Sequence, residues 1–127
     1  MPSFPFERLE VWQQSRSLVI EAYRMTQTFP KQEQFGLTSQ VQRAAVSVAA
    51  NLAEGTSRTS AKDQAHFSQL AFGSLMELAC LVQLARDLER VSPSVAEALL
   101  ASIALLAPRI SKLRDSQLRR SVRGKAE

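Results

Sequence analysis

A chain of 127 residues is the length of one domain, and 45% hydrophobic with 22% charged residues is a globular composition, not a disordered one. One cysteine, Cys80, and one histidine, His66, exclude an internal disulfide and any metal centre built from several thiolates or imidazoles, and four glycines with five prolines leave too little turn material for a many-stranded fold. The net charge of +4 is uneven: residues 1–108 hold nine Lys/Arg against ten Asp/Glu, whereas residues 109–127 hold seven against two, so a neutral body carries a basic end.

The start, Met-Pro-Ser-Phe-Pro-Phe-Glu-Arg, has no basic leader followed by an apolar stretch, so a secretory signal is not expected. No window holds the roughly 18 uninterrupted apolar residues of a membrane span. The expectation is a cytoplasmic chain that keeps clear of membranes and whose lone thiol stays reduced.

A first helix is predicted over about 6–28. One seam reads Leu9, Trp12, Arg16, Val19 and Tyr23, and a second reads Val11, Ser15, Leu18, Ala22, Met25 and Phe29, at the three-and-four spacing of single helix faces. Pro30 ends it, because the residue before a proline is pushed out of helical geometry. A second helix, 39–54, opens on a capping box of Ser39 with Gln42 and closes on Gly55 as its C′ residue. A third, 61–90, starts from a Ser60 cap with Asp63 in its first turn. Phe67, Ala71, Ser74, Leu78, Leu81, Ala85 and Leu88 keep the alternation of a bundle seam along it. Ser92 and Pro93 open a fourth helix over 93–116 with the stripe Leu99, Ile103, Leu106, Ile110 and Leu113. Pro108 lies inside that stripe and either kinks the helix or ends its regular part. Residues 117–127 read as a basic, frayed tail outside a domain of residues 1–116. Short connections between four amphipathic helices make the fold all-α, an antiparallel up-down-up-down four-helix bundle.

The third helix is apolar nearly all round. Phe67, Ala71, Leu78 and Ala85 define one face, and Phe72, Leu75, Ala79 and Val82 cluster about 100° from it. Leu70, Met76, Cys80 and Leu84 fill much of the rest. An outer helix of a lone bundle buries only a stripe, so self-association is the expectation, with Phe72, Leu75, Met76, Ala79 and Val82 as the candidate interface. The alternative is that the first and fourth helices cover it entirely.

On the second helix Gln40, Arg43, Ser47, Asn51 and Glu54 fall within an arc of about 80°, opposite the core-facing Val41, Ala45, Val48 and Leu52. A guanidinium, a hydroxyl, an amide and a carboxylate in one row satisfy one another when partly buried. The row reads as a network that fixes helix packing or subunit register, as a contact for a ligand or partner, or as a solvated face.

The same residues carry a resemblance. Gln40-Val-Gln-Arg-Ala-Ala-Val-Ser47 followed by Asn51-Leu-Ala-Glu-Gly55 resembles the signature of the 23S rRNA intervening-sequence four-helix-bundle family. Leu9-Glu-Val-Trp12, then Phe29-Pro30 with Glu33, Phe35, Gly36 and Leu37, then Gly73-Ser-Leu-Met-Glu77-Leu follow in register, so the likeness spans about residues 4–90. Ala49 departs from the proline often found before the Asn-containing motif, which implies a straighter second helix here. The resemblance implies a small bacterial cytosolic bundle without known enzymatic activity, some relatives being encoded within inserts of ribosomal RNA genes. It also implies kinship with the accessory protein of diversity-generating retroelements, a pentameric barrel that associates with a reverse transcriptase and nucleic acid. A homo-oligomer, a pentamer by that likeness, is therefore expected.

The residues themselves offer little catalysis. His66 stands alone, Cys80 lies in an apolar stretch without a basic neighbour, and Glu54 with Glu77 lack the histidines of a metal set. The glycines are scattered, so there is no phosphate loop. No cofactor and no enzyme are expected. Arg109, Lys112, Arg114, Arg119, Arg120, Arg123 and Lys125 instead form a concentrated patch, and a continuing helix puts Arg109, Lys112, Arg119 and Arg123 on one side. The patch binds RNA or DNA, or it merely complements a helix C-terminus and keeps the chain soluble. No aromatic residue lies beyond Phe72, so any nucleic-acid contact from this end is to phosphates and not by base stacking. Two functions follow: an oligomeric nucleic-acid-associated accessory protein, partnered with a reverse transcriptase or another protein, or a scaffold for a protein partner.

Overall fold

The computed structural model of the protein describes residues 3–126, with side-chain surroundings through Gly124. Four helices follow one another: α1 Glu10–Thr26, α2 Leu37–Thr56, α3 Ala61–Asp87 and α4 Pro93–Ala126. Each packs against its chain neighbours, α4 closes back on α1, and α3 has the most extensive contacts with both α2 and α4. The bundle is all-α among the described residues.

The seams read from the sequence supply the core. Val11, Ser15, Leu18, Ala22 and Met25 of α1 meet Val41, Ala45, Val48 and Leu52 of α2, and Leu99, Ile103, Leu106 and Ile110 of α4 close over Ala71, Leu78, Leu81 and Ala85 of α3. Ser15, fully enclosed, keeps its hydroxyl satisfied by donating 2.7 Å to the Trp12 carbonyl. By length and mean hydropathy α3 and α4 are each apolar enough to cross a membrane; here one stripe of each is the core and the opposite faces carry Lys62, Glu77, Asp87, Arg109 and Lys112.

The helix ends differ from expectation in several places. Pro5 sits in a separate 3-10 turn, Pro5–Arg8, so α1 begins only at Glu10, and the hydroxyls of Thr26 and Thr28 accept no continuation but donate back to the Tyr23 and Met25 carbonyls. Ser39 and Gln42 do not cap α2. The helix starts two residues earlier, from Gly36 without a side-chain cap, and the Gln42 amide reaches across to the Thr26 hydroxyl at 3.1 Å. Gly55 does not end α2 as a left-handed residue: it is helical, and a Cβ there would stand 3.2 Å from the Phe67 Cβ, so the glycine lets α2 approach α3. The left-handed cap belongs to Glu89, φ 57°, after α3. There Arg90 N–H donates to the Ala85 carbonyl at 2.9 Å and Glu89 N–H to that of Arg86 at 3.0 Å, the paired bonds of a Schellman motif, which end α3 at Asp87 and not at 90. Ser60 does cap α3, accepting from Asp63 N–H at 3.1 Å.

The largest difference is at the C-terminus. Neither Pro108 nor Ser116 ends α4, which stays helical through Ala126, so the segment 117–126 continues the helix instead of fraying as a tail, and Gln117 and Arg120 within it reach α3. Pro108 removes the donor for the Ala104 carbonyl, but both residues are exposed, and an outward-tilted carbonyl is solvated there.

Candidate functional site

The polar row of α2 divides into three parts. Ser47 Oγ and Ser74 Oγ share a 2.7 Å hydrogen bond between α2 and α3, and Asn51 Nδ2 donates to both the Ser47 carbonyl, 2.9 Å, and the Ser47 hydroxyl, 3.0 Å. All three are half-buried, which is where such a network is worth most, because a partner lost there is not replaced by water. Glu54 pairs with Arg58 one turn on, not with Arg43. Arg43 and Gln40 are exposed, and their side chains have no hydrogen-bond partner among the described residues. The centre of the row therefore joins helices, and its two ends face outward.

The expected subunit interface is split. Leu75 and Val82 are fully enclosed inside the protomer, so neither is available to a second copy; they serve the core because they lie on the arc that α3 turns toward α2 and α4. Phe72 and Ala79 are half-buried and Met76 is exposed. Leu88, expected on the seam, is 55% exposed because α3 has already ended. Exposed apolar surface is nevertheless plentiful: Leu70, Met76 and Leu84 on α3, Leu105, Leu118 and Val122 on α4, and Ile20, Tyr23 and Val46 on the α1/α2 side. Ile20 and Val46 of that last group line a groove of about 420 Å³ with Phe6, Trp12, Val19 and Ala50, with Arg16 at its rim 5.7 Å from the Trp12 ring. A smaller cavity of about 210 Å³ between α1 and α4 holds Gln14, Glu21 and Ser102, with the Ser102 hydroxyl donating 2.9 Å to the Glu21 carboxylate.

The basic residues of α4 fall into two sets. Arg109, Lys112, Arg119 and Arg123 are exposed on one side of the helix. Arg114 and Arg120 turn toward α3: Arg114 donates to Gln69 Oε1 and lies 5.7 Å from the Phe72 ring, and Arg120 donates to Gln64 Oε1 at 3.3 Å. Between them, Ser68 Oγ donates 2.6 Å to Gln117 Oε1, both residues buried. The Lys125 side chain lies outside the described residues.

In this polar seam Arg114 and Arg120 were expected in the basic patch and turn instead to α3, whereas Gln64, Ser68, Gln69 and Gln117 were not among the predicted positions. Its signal is in the sequence: Gln117 continues the core stripe of Ile103, Leu106, Ile110 and Leu113 by another four residues, but an amide at a core position does not register as hydrophobic. Arg58 was likewise missed, because the loop after α2 gives no periodicity. His66 and Cys80 are both exposed, and no three His, Cys, Asp or Glu side chains converge among the described residues.

No curated protein matches the chain. Among solved structures, the crystal structure of a protein of unknown function from the S23 ribosomal protein family of Bacteroides thetaiotaomicron superposes with a TM-score of 0.74 at 17% identity, covering 82% of this chain and 97% of the other; that likeness shows the fold. Residues 7–112 match the family described as 23S rRNA-intervening sequence protein, so the match takes in most of α4 and stops short of Arg119 and Arg123. The chain belongs to the 23S rRNA-intervening sequence protein family.

Proposed function

We propose that this protein is a non-enzymatic cytoplasmic factor that self-assembles and associates with nucleic acid, or with a ribonucleoprotein, through the outward face of α4. The observation that carries the reading is the exposed set Arg109, Lys112, Arg119 and Arg123 on one continuous helix whose opposite side is packed against α3. None of the four forms an ion pair among the described residues, the nearest carboxylate on the helix, Asp115, pairing with Arg114, and cations so placed attract phosphates and release the condensed counterions around them. Self-assembly is supported by the apolar groove between α1 and α2 and by exposed Met76, Leu70 and Leu84. A ring of five, as the resemblance to the retroelement accessory protein implies, repeats the cationic face once per subunit.

The test compares the full chain with the variant R109Q/K112Q/R119Q/R123Q. Retention of RNA or DNA at low salt should fall at least tenfold in the variant and fall steeply with added salt in the parent protein. Equal retention overturns the reading, and a light-scattering mass near that of one 14.1 kDa chain at micromolar concentration overturns self-assembly. The second reading, a scaffold that binds a protein partner, rests on the same α1/α2 groove, and a partner whose binding is lost on Ile20→Glu but kept by the α4 variant supports it.

A further inference from the structure

Of the exposed cations of α4 among the described residues, Arg120 is held by Gln64 Oε1, and the other four are not evenly spaced. Arg109 and Lys112 form one pair and Arg119 and Arg123 another, and at the helical rise of about 1.5 Å per residue the pair centres stand about 16 Å apart. Beside the gap sits Asp115, exposed, one turn from both Lys112 and Arg119, its carboxylate 3.3 Å from Arg114 Nε. Rotation of α4 about its own axis is blocked, because Arg114, Gln117 and Arg120 engage Gln69, Ser68 and Gln64 of α3. The positions that carry the pairs are thus held at a fixed separation on the helix, with the Asp115 carboxylate beside the gap between them.

We infer that this face is built for the two phosphate backbones of a duplex, one cation pair to each, and not for a single strand. The inference rests on the nucleic-acid reading above. A single strand lying along the helix would carry a continuous file of phosphates past Asp115, and α4 offers it no aromatic side chain on which a base could stack. Two backbones flanking a groove leave the carboxylate facing the opening between them. A separation of about 16 Å suits an opening about 12 Å wide, the width of the major groove of B-form DNA, and the wide, shallow minor groove of an A-form duplex offers a similar gap.

Fluorescence anisotropy on the full chain tests this with a DNA duplex and an RNA duplex of about 20 base pairs and an unstructured DNA strand of about 20 nucleotides, at about 50 mM salt. The better-bound duplex should exceed the strand by about tenfold or more. Tighter DNA assigns the B-form major groove and tighter RNA the A-form minor groove; both outcomes support two-backbone contact. R119Q/R123Q should cost the duplex at least tenfold and reduce its log–log salt slope by about 1.8, the loss of about two phosphate contacts. D115N should raise strand affinity severalfold and narrow the preference. A strand bound as tightly as either duplex, or a preference unmoved by D115N, overturns the inference and leaves nucleic-acid association standing. Absence of binding to all three probes overturns both.

Discussion

Replacing Gly55 with alanine should destabilise the bundle, although glycine is normally the worse residue in a helix. An added methyl at Gly55 stands 3.2 Å from the Phe67 Cβ and 3.6 Å from the Gln64 carbonyl oxygen. Comfortable carbon–carbon contact is about 3.5–4.0 Å, so something must move by a few tenths of an ångström. The neighbour is not a flexible tip: Phe67 Cβ is tied to the α3 backbone, and its ring lies 4.5 Å beneath the Arg58 guanidinium. Relief therefore means separating α2 from α3 along a seam where Val48, Ala71 and Leu75 have no exposed surface. Overpacking of that kind costs about 1–3 kcal/mol, against a helix-propensity gain of up to about 1 kcal/mol that shrinks in a last turn. The net is a loss of about 1 kcal/mol. Gly73 is the internal control: it is exposed in the middle of α3 with nothing within 4 Å of an added Cβ, so Gly73→Ala should stabilise by about 1 kcal/mol. Urea denaturation of the two variants and the parent, followed by circular dichroism at one fixed protein concentration, should give midpoints on opposite sides of the parent's with equal slopes. A Gly55→Ala variant as stable as Gly73→Ala would refute the close approach of α2 to α3.

Glu89→Gly should raise stability by about 1 kcal/mol, since φ 57° is strained for a residue with a Cβ and free for glycine; a thermal midpoint at or below the parent's would show that the Schellman motif is not formed in solution. Ser68→Ala should cost about 1–3 kcal/mol, because it leaves Gln117 Oε1 buried without its donor. The double variant S68A/Q117L should recover most of that loss, and a double-mutant cycle with no coupling would deny the contact. Pro108→Ala should stabilise α4 by about 1–3 kcal/mol, because it restores the bond to the Ala104 carbonyl in a helix that already runs through the site; a loss of stability in chemical denaturation would mean that the proline ring packs against something.

The bundle and its core were legible because the 3.6-residue period survives in every helix: Val41, Ala45, Val48 and Leu52 need only their spacing to be placed inside. What period cannot choose is which of two apolar arcs a helix buries. On α3 both arcs read as hydrophobic, and Leu75 with Val82, assigned outward from spacing, went inward because α3 packs on two neighbours at once. Ends were misread where one residue type serves several geometries. Serine three residues before glutamine fits a capping box, and it equally fits the first turns of a helix already begun at Leu37. Glycine at 55 fits a left-handed cap, and it equally fits a close crossing. Of the polar row, Ser47 and Asn51 were correctly grouped, but their partner Ser74 comes from α3, a pairing that no spacing along α2 contains. The reach of α4 was underestimated because its last inward residue, Gln117, is polar and finds its partner 49 residues away.

The bond between Ser68 and Gln117 also orders events in time. The first half of α3 meets its cover only in the last described turns of α4, so during synthesis from the N-terminus α1, α2 and α3 emerge with Ala65, Ser68 and Ala71 still lacking α4. A chain that stops near residue 116 would keep this stretch unsealed and lose Arg119, Arg120 and Arg123 at the same stroke. The cover over the start of α3 and the second half of the charged face thus arrive in one step, and shorter products lack both.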